Sequence, residues 1–204
     1  MNDWISAKAK GDDGEIFLDS WLEYRGYQVK HVSNRSQYLG VDRLIGFPVG
    51  SSSADVFLGV PIWQSCEYKT DYQADTTGNL FIEMYQILSD NRVVIGWAPK
   101  CLAQYLFFYI PGRDMICEIP VSAFKSFLTE WCDTCRFSRA VNACGRQAVG
   151  LLVPLTEMPQ LGCCYYVDRQ TKEAIETMRK QSRVRSACSP VSPKTNSREL
   201  ESFR

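Results

Sequence analysis

The sequence predicts an α/β protein in which an N-terminal helix leads into a β-meander, within a mixed sheet flanked by helices. Three observations predict this class. A helical pattern occupies residues 12–25, short apolar runs of strand-like composition follow it, and a second helical pattern lies at 168–182. With 204 residues, of which 45% are hydrophobic, the chain is long enough to bury one substantial core.

The first predicted element is a helix over residues 12–25, with Asp12 or Asp13 as its N-cap and Gly26 as its end. Its apolar residues recur at i, i+1, i+4 and i+5, which places them on one helix face. These residues are Phe17, Leu18, Trp21 and Leu22. One face of the helix is therefore expected to pack against the core.

Apolar runs bounded by turn residues predict the strands that follow. Residues 50–53, rich in Gly and Ser, are predicted to form a loop, and Pro120 is expected to open a helix over 121–131. The final strand is predicted at 148–155. The predicted strands are 27–32, 41–47, 54–60, 62–69, 77–88, 102–110, 115–119 and 148–155.

Four segments are predicted along the chain. Residues 1–11 form an N-terminal extension, 12–167 form the folded domain, and 168–182 form a C-terminal helix whose thin apolar face packs weakly. Residues 183–204 are rich in Ser and Pro and almost free of apolar residues, which predicts a disordered tail.

Composition excludes two classes of protein. No window approaches the roughly 20 uninterrupted apolar residues of a membrane-spanning helix, so no membrane partner is expected. The first 15 residues lack the apolar core of a secretory signal, which predicts a cytoplasmic protein of a bacterial or phage-infected cell. The 23 basic and 23 acidic residues balance, so any contact with DNA must come from a local patch.

Nine cysteines occur without a signal peptide, mostly inside apolar stretches, and we expect most of them to be reduced and buried. Cys132 and Cys135 have the spacing of a zinc knuckle, with Cys144, Cys163 and Cys164 as further thiolates downstream. Because zinc sites of this kind use paired knuckles and only one is present, structural zinc is not expected.

Glu67 and Lys69 are two residues apart in an apolar run, so a strand would place them on one side and Tyr68 on the other. Asp42 opens another predicted strand, and Glu15 lies in the first turn of the helix. If the fold brings them together, three carboxylates and a lysine suit Mg²⁺ or Mn²⁺, because such hard cations prefer oxygen ligands. A cation there would deprotonate a water, and the lysine would stabilise charge developing on a phosphate.

Four segments extend this local pattern. They are GVDRLIG at 40–46, CEYKTDYQADTTGNLFIE at 66–83, IGWAPKCLAQYLFFYIPG at 95–112 and AVGLLVPL at 148–155. In this order and spacing they resemble the PD-(D/E)XK nuclease superfamily, and more closely its uncharacterised phage and bacterial members with G-[IV]-D-R, E-x-K-[TA]-D and T-G-N-x-[FI]-x-E motifs. The resemblance covers residues 12–156 and implies a restriction-endonuclease-like core.

The resemblance implies roles for individual residues. Asp42 and Glu67 would bind the metal, with the Tyr68 carbonyl as a third oxygen, while Lys69 would be the catalytic lysine and Glu15 would complete the set. Asp55, 12 residues before Glu67, is the alternative to Asp42 as leading aspartate. Asp42 is favoured because GVDRL matches the closer group, with 48–61 as an extended hairpin.

Other residues near these motifs are secondary candidates. Asp71 would share the face of Glu67 and Lys69 if the strand continued, and a glycine and an asparagine in the next loop suit a position beside a phosphate. The secondary site candidates are Asp71, Thr77, Gly78, Asn79 and Glu83. Lys100 and Gln104 are candidate nucleic-acid contacts, whereas the aromatic residues at 97 and 105–109 are expected to pack in the core.

The leading prediction is therefore a Mg²⁺-dependent endonuclease that hydrolyses DNA by a metal-activated water, with DNA as its partner. Assembly as a homodimer is left open. One alternative is a catalytically inactive nuclease-fold protein that binds nucleic acid or another partner. A second alternative is a zinc-stabilised regulatory protein organised around Cys132 and Cys135.

Overall fold

The computed structural model describes residues 3–46, 62–141 and 145–188. The helices in this part of the chain are α1 Asp3–Tyr24, α2 Asn34–Tyr38, α3 Ala74–Thr77, α4 Trp97–Lys100, α5 Val121–Thr134, α6 Met158–Leu161 and α7 Arg169–Cys188. The strands are β1 Gln28–His31, β2 Arg43–Gly46, β3 Trp63–Thr70, β4 Asn79–Ile87, β5 Val93–Ile95, β6 Tyr105–Ile110, β7 Met115–Pro120, β8 Arg136–Val141, β9 Gln147–Pro154 and β10 Cys163–Tyr166.

Helix α1 ends where the sequence predicted but begins earlier. Gly26 adopts a left-handed φ of +88°, and the Tyr27 N–H donates to the Leu22 carbonyl at 3.0 Å, which closes the helix end. The start lies at Asp3, not near Asp12, because the Ala- and Lys-containing segment before it also favours helix. Gly14 lets α1 approach β3, since a Cβ there would lie 2.0 Å from the Thr70 hydroxyl oxygen.

The larger sheet contains six strands in the order β1-β2-β3-β6-β7-β10. Strands β1, β2 and β3 form the predicted antiparallel meander, whereas β3 and β6 pair in parallel. The remaining neighbours, β6 with β7 and β7 with β10, are antiparallel. The predicted α/β class, with an N-terminal helix followed by a meander in a mixed sheet, is therefore confirmed.

A second sheet, which the sequence analysis did not predict, has the antiparallel order β5-β4-β9-β8. The prediction that 148–155 is the last strand is wrong, because β10 follows and completes the larger sheet. Strand β8 was missed because its sequence RFSRAV is polar and mostly exposed, without the alternation of a half-buried strand. The second sheet also supplies the chain that crosses from β3 to β6.

Strand β6 separates two hydrophobic clusters. Leu106, Phe108 and Ile110 belong to the cluster shared with the second sheet and α5, while Phe107 and Tyr109 belong to the cluster under α1. A strand buried on both faces requires a continuous apolar run, which is what YLFFYI provides. The expected core packing of these aromatic residues is confirmed, although β6 begins at residue 105, not 102.

Helix α7 packs more firmly than its sequence predicted. Ile175 is fully buried in the cluster under α1, together with Val167 just before the helix. The helix also continues to Cys188, so the prediction that the tail begins at 183 is wrong. The buried side chain of Ile175 therefore docks a helix whose apolar face is thin.

Several predictions lie outside the described residues. These are the loop at 50–53, the strand at 54–60, the hairpin at 48–61 with Asp55, Cys144, and the tail from 189 onward. Elsewhere, α5 begins directly after Pro120 as predicted. None of the helices in the described ranges has the length and hydropathy required to cross a membrane.

Candidate active site

Strand β3 presents Glu67 and Lys69 on one face of the larger sheet, as alternation predicted. The Lys69 ammonium forms an ion pair with the Glu67 carboxylate and donates a second hydrogen bond to the Tyr68 carbonyl at 3.0 Å. The Tyr68 ring points to the other face, where it is buried in the cluster under α1. A carboxylate, an ammonium and a backbone carbonyl therefore meet near the end of β3.

Asp42 lies beside this group because it immediately precedes β2, which pairs with β3. Its backbone N–H donates to the Cys66 carbonyl at 2.8 Å, and its Oδ2 accepts from the Tyr68 N–H at 2.8 Å. The side chain thus extends the β2–β3 pairing by one bond and reaches the level of Glu67. Asp55 lies outside the described residues, so its role as the alternative to Asp42 stays open.

Burial dominates the electrostatics of Glu67, which is only 4% exposed. Desolvation raises the pKa of the Glu67 carboxyl to about 7; Lys69 opposes this shift, and the neighbouring Asp42 carboxylate adds to it. Its Oε2 is buried and has no hydrogen-bond partner among the described residues. Such an oxygen is costly to leave bare, and either a cation or a proton shared with the Asp42 carboxylate would satisfy it.

Arg43, the residue after Asp42, is buried and connects the site to helix α1. Its Nε donates to both Asp19 oxygens at 3.0 and 3.1 Å, and one terminal nitrogen donates to Glu15 at 3.0 Å. The other terminal nitrogen donates to the Asp42 carbonyl at 3.0 Å. Arg43 and Asp19 were not identified from the sequence, although a charged residue opening an apolar strand, next to the candidate aspartate, was an available signal.

Glu15 therefore reaches the edge of the site through Arg43. Its carboxylate is partly exposed, and its pKa is raised mainly by burial and then by the Asp42 carboxylate, against the effects of Arg43 and Lys69. The structure thus places Glu15 close enough to Asp42 and Lys69 to feel their charges. Because its hydrogen bond goes to Arg43, Glu15 also helps to fix the loop that carries Asp42.

The donor atoms present suit a hard divalent cation. Asp42, Glu67 and the Tyr68 carbonyl offer oxygen atoms only, and Mg²⁺ keeps several of its waters when one or two carboxylates bind it. Across the described ranges, no three His, Cys, Asp or Glu side chains form a ready metal cage. The buried Glu67 Oε2 is the observation that favours a cation at this two-carboxylate position.

A depression of about 410 Å³, here called the Lys69 pocket, adjoins the site. It is lined by residues of both sheets, including Lys69, Asp71, Asn79, Phe81, Trp97 and Ser138. Asp71 follows the end of β3, so the strand does not continue through it. Three of the secondary candidates, Asp71, Thr77 and Asn79, line this pocket.

These three residues also build the turn between β3 and β4. Asp71 accepts from the backbone N–H groups of Gln73 and Ala74 at the start of α3, and from that of Phe81 in β4. Thr77 donates to the Gln73 carbonyl at 3.0 Å, and Gly78 ends α3 with a left-handed φ of +72°. The turn geometry alone therefore explains the Asp, Thr and Gly of this motif.

The remaining candidates are not part of the lining of the Lys69 pocket. Glu83 accepts from the Gln86 amide at 3.0 Å and from the Trp97 N–H at 3.3 Å, which fixes α4 against β4. Gln104 accepts from the Ser65 N–H at 2.9 Å and so extends the pairing of β3 with β6. Lys100 ends α4 and is partly exposed.

Seven of the nine cysteines are found as free thiols. Cys66, Cys101 and Cys117 are buried, as expected for reduced cysteines that act as small hydrophobic residues. Cys132 is exposed on α5, and Cys135 follows the helix and is partly exposed. Burial raises the pKa of the Cys135 thiol.

Comparisons with known proteins add little to this geometry. No protein-family model matches the chain, and no curated protein matches it. Among solved structures the chain is similar to a bacterial homing endonuclease, I-Ssp6803I, with 15% sequence identity and a TM-score of 0.44, over 89% of this chain and 98% of that one. Membership of the PD-(D/E)XK superfamily stays a prediction.

Replacing Arg43 with Met tests the buried ion pairs. The variant keeps an apolar side chain of similar length but leaves the Asp19 carboxylate without its cation, so we expect the free energy of unfolding to fall by about 3 kcal/mol. Urea denaturation measures this loss. Arg92→Met, which removes an exposed pair with Asp90, should leave the midpoint unchanged, and equal effects of the two substitutions would contradict the prediction.

The raised pKa of Glu67 predicts a pH dependence of stability. Between about pH 4.5 and 7 the folded protein binds a proton that the unfolded chain has released, so stability should fall as pH rises through this window. Glu67→Gln removes that proton and should flatten the fall, as measured by urea midpoints at pH 5 and 8 in EDTA. The exposed control Glu130→Gln should keep the wild-type profile; a Glu67→Gln profile parallel to wild type would refute the assignment.

Proposed function

We propose that this protein is a metal-dependent endonuclease that hydrolyses DNA phosphodiester bonds by a water activated by Mg²⁺ or Mn²⁺. The observation that carries the proposal is the meeting of Asp42, Glu67 and Lys69, with a buried Glu67 oxygen that has no hydrogen-bond partner among the described residues. Two carboxylates for a cation and a lysine for the phosphate are the groups that such a hydrolysis requires.

Each residue has a defined task in this proposal. Asp42 and Glu67 would hold the cation, with the Tyr68 carbonyl as a further oxygen ligand. When bound, the cation would lower the pKa of a water and polarise the scissile phosphate. Lys69, whose ammonium contacts Glu67 in the structure, would turn to the phosphate and stabilise the charge that develops there.

The orientation of Lys69 supports this task. Its ammonium lies 5.1 Å from the centre of the Trp97 ring, and its side chain is 27% exposed. The ammonium thus lies over the Trp97 ring and borders both Glu67 and the Lys69 pocket. A cation on Glu67 would compete with the ammonium for that carboxylate, which would release Lys69 toward the substrate.

Cleavage assays test the proposal directly. The full chain is incubated with linear, nicked, branched and single-stranded DNA in Mg²⁺ or Mn²⁺, and at least one form should be cut. Since loss of a group that merely supports a metal ligand costs up to about 100-fold, Asp42→Asn should lose at least that much activity. Asp133→Asn, an exposed substitution on α5, is the matched control and should cut as wild type does.

A second measurement separates metal binding from activity. Mn²⁺ should raise the thermal midpoint of the wild-type protein but not that of Asp42→Asn, because a ligand that binds only the folded state stabilises it. DNA binding without cleavage, and without a Mn²⁺ effect, would favour the inactive nuclease-fold alternative. Stoichiometric zinc in the purified protein would favour the zinc-stabilised one.

Lys69→Ala should lower cleavage by about 100-fold or more while leaving DNA affinity nearly intact, because the ammonium acts on charge that develops in the transition state. Cleavage rates and fluorescence anisotropy of labelled DNA measure the two effects. Lys125→Ala on α5 controls for the loss of one positive charge. A matching loss of affinity would make Lys69 a phosphate anchor instead.

A further inference from the structure

The Lys69 pocket is a built cavity next to the candidate active site. It lies where the two sheets meet, with one wall from β3 and the others from β4, β8 and α4. Its volume of about 410 Å³ is within the range of small-molecule sites. Because Lys69 lines it and also contacts Glu67, whatever occupies the pocket lies beside the phosphate that would be cut.

Aromatic rings form much of the pocket wall. Trp97 is held in place by stacking on Phe124 at 5.9 Å and by an edge contact with Phe108 at 5.8 Å. Phe81 lies over Gly150 on the neighbouring strand, where a Cβ would come within 2.9 Å of the ring carbon Cζ. Gly150 therefore makes room for the Phe81 ring, and rigid aromatic faces of this kind stack on nucleobases of any sequence.

The side-chain amides of Asn79 and Gln73 also line the Lys69 pocket. Asn79 uses one N–H in a 2.7 Å bond to the Thr77 carbonyl, and no other partner of its amide is found among the described residues. The Gln73 side chain likewise has no hydrogen-bond partner in that part of the chain. The one carboxylate of the lining, Asp71, already accepts three backbone N–H groups. Such amides can hydrogen-bond the edge of a base that has left its stack.

Positive charge flanks the pocket on both sides. Lys69 lies on one wall, and Arg139 on β8 lies on the other, where it forms no ion pair with any described residue. The β8–β9 region, residues 134–156, contains three arginines and no Asp or Glu. A phosphate on either side of a base in the pocket would therefore meet a cation, which is the electrostatic arrangement expected for a nucleotide within a strand.

We infer that the Lys69 pocket takes one unstacked nucleobase of a DNA strand, with the adjoining phosphate at Lys69. The inference rests on the proposed function, since it takes DNA as the ligand, and it narrows the substrate to DNA that has an unpaired or extruded nucleotide at the cleavage point. Phe81 stacks on the base, and Trp97, which stacks on Phe124 and lies under the Lys69 ammonium, borders it. The Asn79 and Gln73 amides bond its edge, and Arg139 faces the next phosphate.

Binding measurements in EDTA test the pocket without any cleavage. Fluorescence anisotropy is recorded for one labelled sequence as a single strand, as a paired duplex and as a duplex with a one-nucleotide bulge. Stacking one base on an aromatic side chain corresponds to roughly 5- to 150-fold in Kd, so the single strand and the bulge should bind at least about fivefold more tightly than the paired duplex.

Ser138→Phe fills the pocket from β8 and should abolish this preference while leaving the Kd for paired duplex unchanged. Ser122→Phe, the same substitution at an exposed position of α5, should keep the preference. Asn79→Ala is a milder second variant, expected to reduce the preference if Ser138→Phe does not fold. Equal Kd values for the three DNA forms, or a preference that survives Ser138→Phe, would overturn the inference.

Two further outcomes separate the possible failures. In one outcome, a free deoxynucleoside monophosphate binds the protein and Ser138→Phe abolishes that binding, while neither the nucleotide nor the substitution changes the Kd for DNA. This result would assign the pocket to free nucleotides and overturn the DNA assignment. Cleavage of paired duplex with no preference for unpaired nucleotides would contradict the pocket inference and support the proposed function. Tighter binding of the single strand and the bulged duplex in EDTA, without cleavage in Mg²⁺ or Mn²⁺, would contradict the proposed function alone.

Discussion

The candidate site depends on the hydrogen bonds that the buried Arg43 guanidinium donates. The guanidinium binds Asp19 and Glu15 of α1 on one side and the Asp42 carbonyl on the other, so the helix, the start of β2 and the leading carboxylate are held as one unit. A lysine could not replace it, because three separate acceptors need the planar fork of donors that only arginine has. Glu15 bonds to Arg43, and its role in completing the set of metal ligands stays a prediction.

Glu67, unlike Arg43, is a buried charged group whose ionised form is only partly compensated by its neighbours. Its burial and its closeness to Asp42 disfavour the ionised carboxylate, and a single lysine offsets only part of that cost. In the proposed function this imbalance is useful, since a divalent cation would favour the ionised forms of both carboxylates at once.

The sequence predicted those features of the fold and site that depend on residues close together in the chain. Alternation along β3 placed Glu67 and Lys69 together and Tyr68 on the opposite face, and Gly26 marked the end of α1. Asp42 was chosen by motif resemblance, because strand periodicity does not state which strands pair. The second sheet was missed for that reason, and so was the Lys69 pocket, which lies where the two sheets meet. Strand β8 was missed because its sequence lacks the alternation of a half-buried strand.

The parallel pairing of β3 with β6 has a consequence for how the protein is made. Asp42, Glu67 and Lys69 all precede residue 70, but the strand that fixes β3 on its open edge lies some 39 positions farther along the chain. During synthesis from the N-terminus, the acidic and basic groups emerge first, and β3 stays an edge strand until β6 is available. Contacts of such long range form slowly, so the candidate site is completed only after residues 105–110 have been translated and have paired with β3.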